Sequence, residues 1–243
     1  MPPRSLTPVS RRERPSKPPL SREVIVSAAV ALLRSEGLER LTMRRLAAAL
    51  DTGAASLYVY FRSTEQLYAA LLDELIGEVA LPSLGAEEPW RDRLATVMTS
   101  YVMVLFEFPS VARLSVFTRP SGPNSLRLLE ELLSLLDEGG VESGAAAWGV
   151  DLLIQYATST AAEHSTRNEQ PGTIDDDSDV SRAIATVSAD THPHLSKLRD
   201  VLVAGEAQER FRWGLEVILT GIADQKGARV PRSYLSLLKR PSG

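Results

Sequence analysis

Ala54, Ala55, Ser56, Tyr58, Val59 and Tyr60 lie in one short run, Ala-Ala-Ser-Leu-Tyr-Val-Tyr-Phe, that sets small and hydroxyl-bearing side chains ahead of two tyrosines. Reading the major groove of DNA asks for a short helix with small or hydrogen-bonding groups at its leading end. It also asks for cations and hydroxyls on the flanks to hold phosphates. Thr42, Arg44 and Arg45 precede the run, and Arg62 and Thr64 follow it. Leu57 and Phe61 can form a shared core with Leu46 and Leu50, which leaves Tyr58, Val59 and Tyr60 facing outward. Two tyrosines and a valine exposed on so short a helix are costly unless something covers them.

A reading helix works only where other helices hold it. Ser21 is a good N-cap, Leu20 and Ile25 stand in the relation of a hydrophobic staple, and Ile25, Ala28, Ala29, Leu32 and Leu33 recur at helical spacing. Gly37 then supplies a left-handed stop. Thr42 can cap a second helix with Met43, Leu46, Ala47 and Leu50 on one face, closed by Asp51-Thr52-Gly53, where Asp51 tolerates a left-handed turn. A third helix is expected from Ala54 to Phe61, and Ser63-Thr64-Glu65-Gln66 reads as a capping box opening a helix from Thr64 to about Ala80. Two short helices joined by a tight turn and backed by a third make a helix-turn-helix.

The stretches LTMRRLAAAL and ASLYVYFRSTEQLYAALLDEL resemble the TetR family of bacterial regulators, and RFRWGLEVILTGI is similar to the closing helix of the tetracycline-repressor-like C-terminal domains. The resemblance implies an all-α fold: a three-helix DNA-binding domain followed by an all-helical ligand-binding and dimerisation domain. It implies that Arg44 reaches a base edge or a phosphate and that the Thr42 hydroxyl bonds a phosphate. Ala54, Ala55 and Ser56 then meet base edges, the alanines through thymine methyls, while Tyr58 and Tyr60 hold the DNA backbone. Two positions depart from the family pattern. Asp51 stands where glycine is usual, and Thr64 where a phosphate-binding lysine is usual. The second loses a cation and predicts weaker anchoring there, which the arginine-rich N-terminus, Arg45 or Arg62 can compensate.

The chain has 243 residues, 44% hydrophobic and 24% charged, with no cysteine, which excludes disulfides, thiolate metal cages and cysteine nucleophiles. Its net charge of −4 is unevenly spread: residues 1–64 hold 11 Lys/Arg against 5 Asp/Glu, and the remainder holds 16 against 26. A polyanion therefore meets the N-terminal end first, unless the basic start is only a solvated tail. No apolar run suits a membrane span or a secretion signal, so a cytoplasmic address is expected. With no glycine-rich phosphate loop, no Gly-x-Ser-x-Gly elbow and no histidine beside a nucleophile, no enzyme activity is expected. His164, His192, His194 and the acidic run Asp175, Asp176, Asp177, Asp179 are the only metal-like set, but Pro193 suits a helix start and acidic loops are usually solvated. No metal and no cofactor are expected.

The expected organisation is a basic arm over 1–19, the helix-turn-helix domain over 20–66, a helical ligand-binding and dimerisation domain over 67–226 and a tail over 227–243. Within the long domain, helices are expected near 90–108, 110–118, 125–138, 145–165, 180–189, 193–203 and 206–225, with a polar, acidic loop over 166–179. Met98, Tyr101, Val102, Leu105, Phe106, Phe117, Trp148, Leu152, Gln155 and Tyr156 can enclose a mostly apolar cavity for a lipophilic or aromatic molecule, or can simply pack as core. Gly149, Leu153 and Thr160, with Trp213, Gly214, Val217, Ile218 and Gly221, mix small and large residues so that two helices approach closely. In the resembling family such helices pair across a two-fold axis, although a contact within one chain uses the same residues. The reading is a homodimeric, ligand-responsive regulator, a repressor released from near-palindromic operator DNA by a small effector, with no membrane partner. A ligand-independent architectural DNA-binding protein is the alternative.

Overall fold

The computed structural model describes residues 19–82, 87–169 and 176–226. Residues 1–18 of the expected arm, Asp175 and the expected tail over 227–243 lie outside the described residues. All regular structure among the described residues is helical. The N-terminal part comprises α1 (Arg22–Glu36), a 3-10 turn (Leu38–Arg40), α2 (Met43–Ala49), α3 (Ala54–Tyr58) and α4 (Thr64–Ile76). The rest comprises α5 (Trp90–Glu107), α6 (Pro109–Ser115), α7 (Pro123–Glu138), α8 (Ser143–Glu169), α9 (Asp176–Thr186), α10 (Pro193–Val203) and α11 (Ala207–Ala223).

Local chemistry sets most of the N-terminal boundaries. Ser21 accepts from the Val24 N–H at 3.3 Å, Thr42 from Arg45 at 3.1 Å and Ser63 from Gln66 at 3.4 Å, each satisfying a helix-end donor that would otherwise be orphaned. The box at α4 is displaced by one residue, because the Gln66 Oε1 accepts from the Arg62 N–H at 2.9 Å instead of from Ser63. Asp51 adopts φ 51°, the left-handed turn between α2 and α3. Gly37 has φ 82° but ψ 169°, so the chain leaves α1 extended and enters the 3-10 turn instead of coiling into a left-handed cap.

Ile25, Ala29, Leu46, Ala47, Leu57 and Phe61 are buried together, and Leu67 and Leu71 of α4 carry this core onward into the second domain. There α8 is the central helix, packed against α5, α6, α7 and α11. Its 27 residues extend about 40 Å at the usual helical rise. Ala145, Ala146, Ala157 and Ala161 are buried along it, and their short side chains let several neighbours approach at once. Between α5 and α6 the chain bends by 119°, where Pro109 at the first position of α6 cannot continue the preceding helix. No single helix among the described residues is long and apolar enough to cross a membrane.

Of the loop expected over 166–179, residues 166–169 continue α8 and 176–179 open α9, while 170–175 lie outside the described residues. Acidic residues are as much at home in the first turn of a helix as in a solvated loop, because the macrodipole favours negative charge there. α9 and α10 pack on each other as a hairpin.

Candidate nucleic-acid interface and ligand cavity

The buried Leu57 anchors α3 to the core, and Ala55 is exposed while Ala54 and Ser56 are half-buried. Tyr58 is 49% and Val59 80% exposed, which gives this helix an uncovered apolar edge that the N-terminal domain itself does not bury. Tyr60 does not share that edge. Its ring is half-buried against the core and its hydroxyl donates to the Leu20 carbonyl at 2.6 Å, while Arg22 donates to the Tyr60 carbonyl at 3.0 Å. The phenol that sequence reasoning turned outward is thus fastened to the start of α1. Arg22 also lies 4.2 Å above the Phe61 ring.

Arg44 is exposed on α2, the helix that packs against α3. Arg45 is exposed but forked onto Glu36, with Nε to Oε2 at 3.0 Å, and this hydrogen bond holds the Glu36 carboxyl below the usual carboxylate range. Thr42 is exposed, and because its oxygen only accepts as the α2 cap, its hydroxyl hydrogen remains available to a phosphate. Thr64 is the first residue of α4 and half-buried.

The ligand residues read from the sequence divide among the core, two separate cavities and the outer surface, with Tyr156 lining neither cavity. Met98, Val102 and Leu105 are buried in the core of α5, where Tyr101 reaches the Thr158 hydroxyl at 3.0 Å. Burial pushes the Tyr101 phenol up, so it stays protonated and able to donate. Tyr101 and Gln155 line a cavity of about 480 Å³ enclosed by α4 to α8. Its apolar surface includes Leu72 and Ile76 of α4, Leu128 and Leu129 of α7, and Val150 and Ile154 of α8. Its polar rim is Arg119, 3.2 Å from Asp151, with Gln155 bonded to the same carboxylate. Phe106 instead lines a second cavity on the α5–α8–α11 side, as does Val102. Phe117 is 88% exposed, and Trp148 and Leu152 point away from both cavities at 57% and 48% exposure. Helical periodicity places a residue on a face, but which neighbour that face meets is a tertiary matter.

The dimerisation set splits in the same way. Gly149 and Gly214 serve the packing of α8 on α11 within one chain: a Cβ on Gly149 would lie 2.8 Å from Ile222, and one on Gly214 would lie 2.1 Å from the Tyr156 hydroxyl. Tyr156 stacks on Phe211 with ring centroids 5.4 Å apart. Leu153 is fully buried, and Thr160 and Ile218 are half-buried. Trp213, 73% exposed, and Val217, 51% exposed, face outward together with Gly221. By helical spacing they lie on the same side of the α8–α11 pair as Trp148 and Leu152.

Asp73 escaped sequence reasoning, although an acid inside Leu71-Leu72-Asp73-Glu74-Leu75-Ile76 is the kind of signal that marks a buried partner. Its carboxylate accepts from the Ser125 N–H at 2.8 Å and hydroxyl at 2.5 Å and from the Asn124 N–H at 3.4 Å, so α4 caps α7. Arg34 of α1 reaches past the helix-turn-helix, bonding Glu78 at 2.7 Å and Glu107 at 2.9 Å. The His164 ring lies 4.4 Å from Phe106, tilted by 31°, whereas His192 and His194 are exposed around Pro193, and no group of three or more metal-ligating side chains forms among the described residues.

Two family models match the chain: bacterial regulatory proteins, tetR family, over residues 25–71, and tetracyclin repressor-like, C-terminal domain, over residues 81–226. The chain belongs to the TetR family of transcriptional regulators. A solved transcription regulator of Streptomyces coelicolor, SCO7704, is 48% identical, covering 88% of this chain and 98% of its own with a TM-score of 0.72. The TetR family protein ActR of the same species, solved in complex with actinorhodin, is 30% identical over 84% of this chain and 95% of its own, with a TM-score of 0.74. An HTH-type transcriptional regulator of Saccharopolyspora erythraea is 38% identical over 126 residues, which is 51% of this chain and 52% of that protein.

Proposed function

We propose that this regulator is a homodimeric repressor that holds near-palindromic operator DNA in the cytoplasm and lets go when a small, mostly apolar or aromatic molecule fills the cavity of about 480 Å³. The domain division over 1–19, 20–66, 67–226 and 227–243 belongs to the same reading. One observation carries it: α4 opens beside α3 at its Ser63 cap and, further along, supplies Leu72 and Ile76 to the cavity wall. Whatever fills the cavity therefore pushes on the helix that carries the DNA-reading unit. The ActR–actinorhodin complex supports the ligand class, because a relative with this fold accepts a small molecule. The exposed Trp148, Leu152, Trp213 and Val217 support the dimer, since one face with this much uncovered apolar surface suits a second copy. An effector that favours the non-binding state by about 1–3 kcal/mol lowers operator affinity about 5–150-fold, an ordinary coupling. Selection of bound fragments from a random DNA pool, followed by release with fractionated small-molecule extracts, tests the reading. Selective binding that no extract relieves points to a constitutive architectural protein, and absence of any preferred duplex overturns the whole proposal.

A further inference from the structure

The cavity on the α5–α8–α11 side measures about 540 Å³, within the roughly 300–1,000 Å³ usual for small-molecule sites. It shares no lining residue with the cavity between α4 and α8, and the proposed function makes no use of it. The lining is partly aromatic, with Phe106 and His164 rings 4.4 Å apart and Phe211 also facing the cavity. Beside Ser100, Gln208 and His164, four polar side chains of the lining have fixed roles. Thr96, Thr99 and Thr160 each donate their hydroxyl hydrogen to the carbonyl four residues earlier, at 2.9, 2.7 and 2.9 Å. Toward the cavity they keep only lone pairs, so they accept. Arg212 at the rim is exposed and pairs with no carboxylate among the described residues, and a guanidinium only donates. A molecule that satisfies both sides carries a flat apolar body, an anionic group for Arg212 and a hydroxyl donor for the threonines.

We infer that this cavity is a second ligand site, separate from the one between α4 and α8, and that it takes a hydroxylated aromatic acid. Ser100 gives the site a connection to the DNA-binding unit, since its oxygen accepts from the Ala80 N–H at 2.8 Å in the segment that leaves α4.

Calorimetric titration of the full chain with 6-hydroxy-2-naphthoate, whose phenol and carboxylate sit at opposite ends of a bicyclic body, tests the assignment. Arg212→Ala is expected to weaken binding about tenfold, the loss of one charge-assisted contact, while leaving 2-naphthol, which lacks the carboxylate, unaffected. Thr99→Val is expected to weaken both compounds. Arg119→Ala, which removes the cation of the other cavity, is expected to leave the naphthoate affinity unchanged and so separates this site from the proposed effector site. Failure of the wild-type chain to bind the naphthoate overturns the inference. So does naphthoate binding that Arg212→Ala leaves intact, or that Arg119→Ala abolishes.

Discussion

Arg44 is exposed on α2, and its role follows from what it reaches on DNA. Arg44→Ala is expected to lower operator affinity by about 1–3 kcal/mol and to relax base preference at one position if it reads a base. A uniform loss across sequences, with the salt slope reduced by about one, assigns it to a phosphate. Fluorescence anisotropy on matched and scrambled duplexes at several salt concentrations separates the two. Asp73 poses a folding question instead. Removing its carboxylate leaves the buried Ser125 N–H and hydroxyl without their acceptor, so Asp73→Ala is expected to cost about 2 kcal/mol in urea denaturation. Asp73→Asn, which keeps one acceptor oxygen, is expected to lose less.

The pairing of α8 with α11 shows how one element serves two interfaces. Its inner face is closed by Gly149 against Ile222 and Gly214 against Tyr156, and its outer face presents Trp148, Leu152, Trp213 and Val217 to solvent. Charged substitutions on the outer face alone test the dimer without disturbing the fold. Trp213→Glu combined with Val217→Arg is expected to yield a folded monomer by sedimentation velocity, with unchanged helical content and operator binding that is lost or strongly weakened, because two half-sites no longer act together. A variant that remains dimeric places the subunit contact elsewhere. The interface of α4 with α7 is different in kind. There a capping carboxylate couples two helices that both line the cavity proposed to take the effector.

Across the whole molecule, charge is polarised, with the N-terminal 64 residues basic and the remainder acidic. Deleting residues 1–19, which hold Arg4, Arg11, Arg12, Arg14 and Lys17, is expected to flatten the salt dependence of DNA binding and to lower affinity most at low salt. An unchanged slope in the truncated protein demotes the segment to a passive tail. The domains are also held together by contacts that carry charge. Arg34 reaches Glu78 and Glu107, and the Ser110 hydroxyl donates to Glu39 at 2.6 Å, a bond that holds the Glu39 carboxyl below its usual range. The exposed ion pairs of Arg34 add little to stability.

Caps, turns and apolar periodicity are local, and the residues that make them were readable in order along the chain. Ser21, Thr42 and Ser63 start their helices and Asp51 turns between α2 and α3, each through a contact within a turn of helix, and Leu46, Leu57 and Phe61 meet in the first core across that one short turn. The family itself was legible in the same short region. Tertiary packing decided what periodicity leaves open: that Tyr60 folds back onto Leu20, that Phe106 and Tyr101 belong to different cavities, and that Trp148 and Leu152 join an outer face instead of a ligand wall. A helix presents the same stripe whatever it packs against. Only the crossing of α8 over four other helices assigns each stripe to a core, a cavity or solvent.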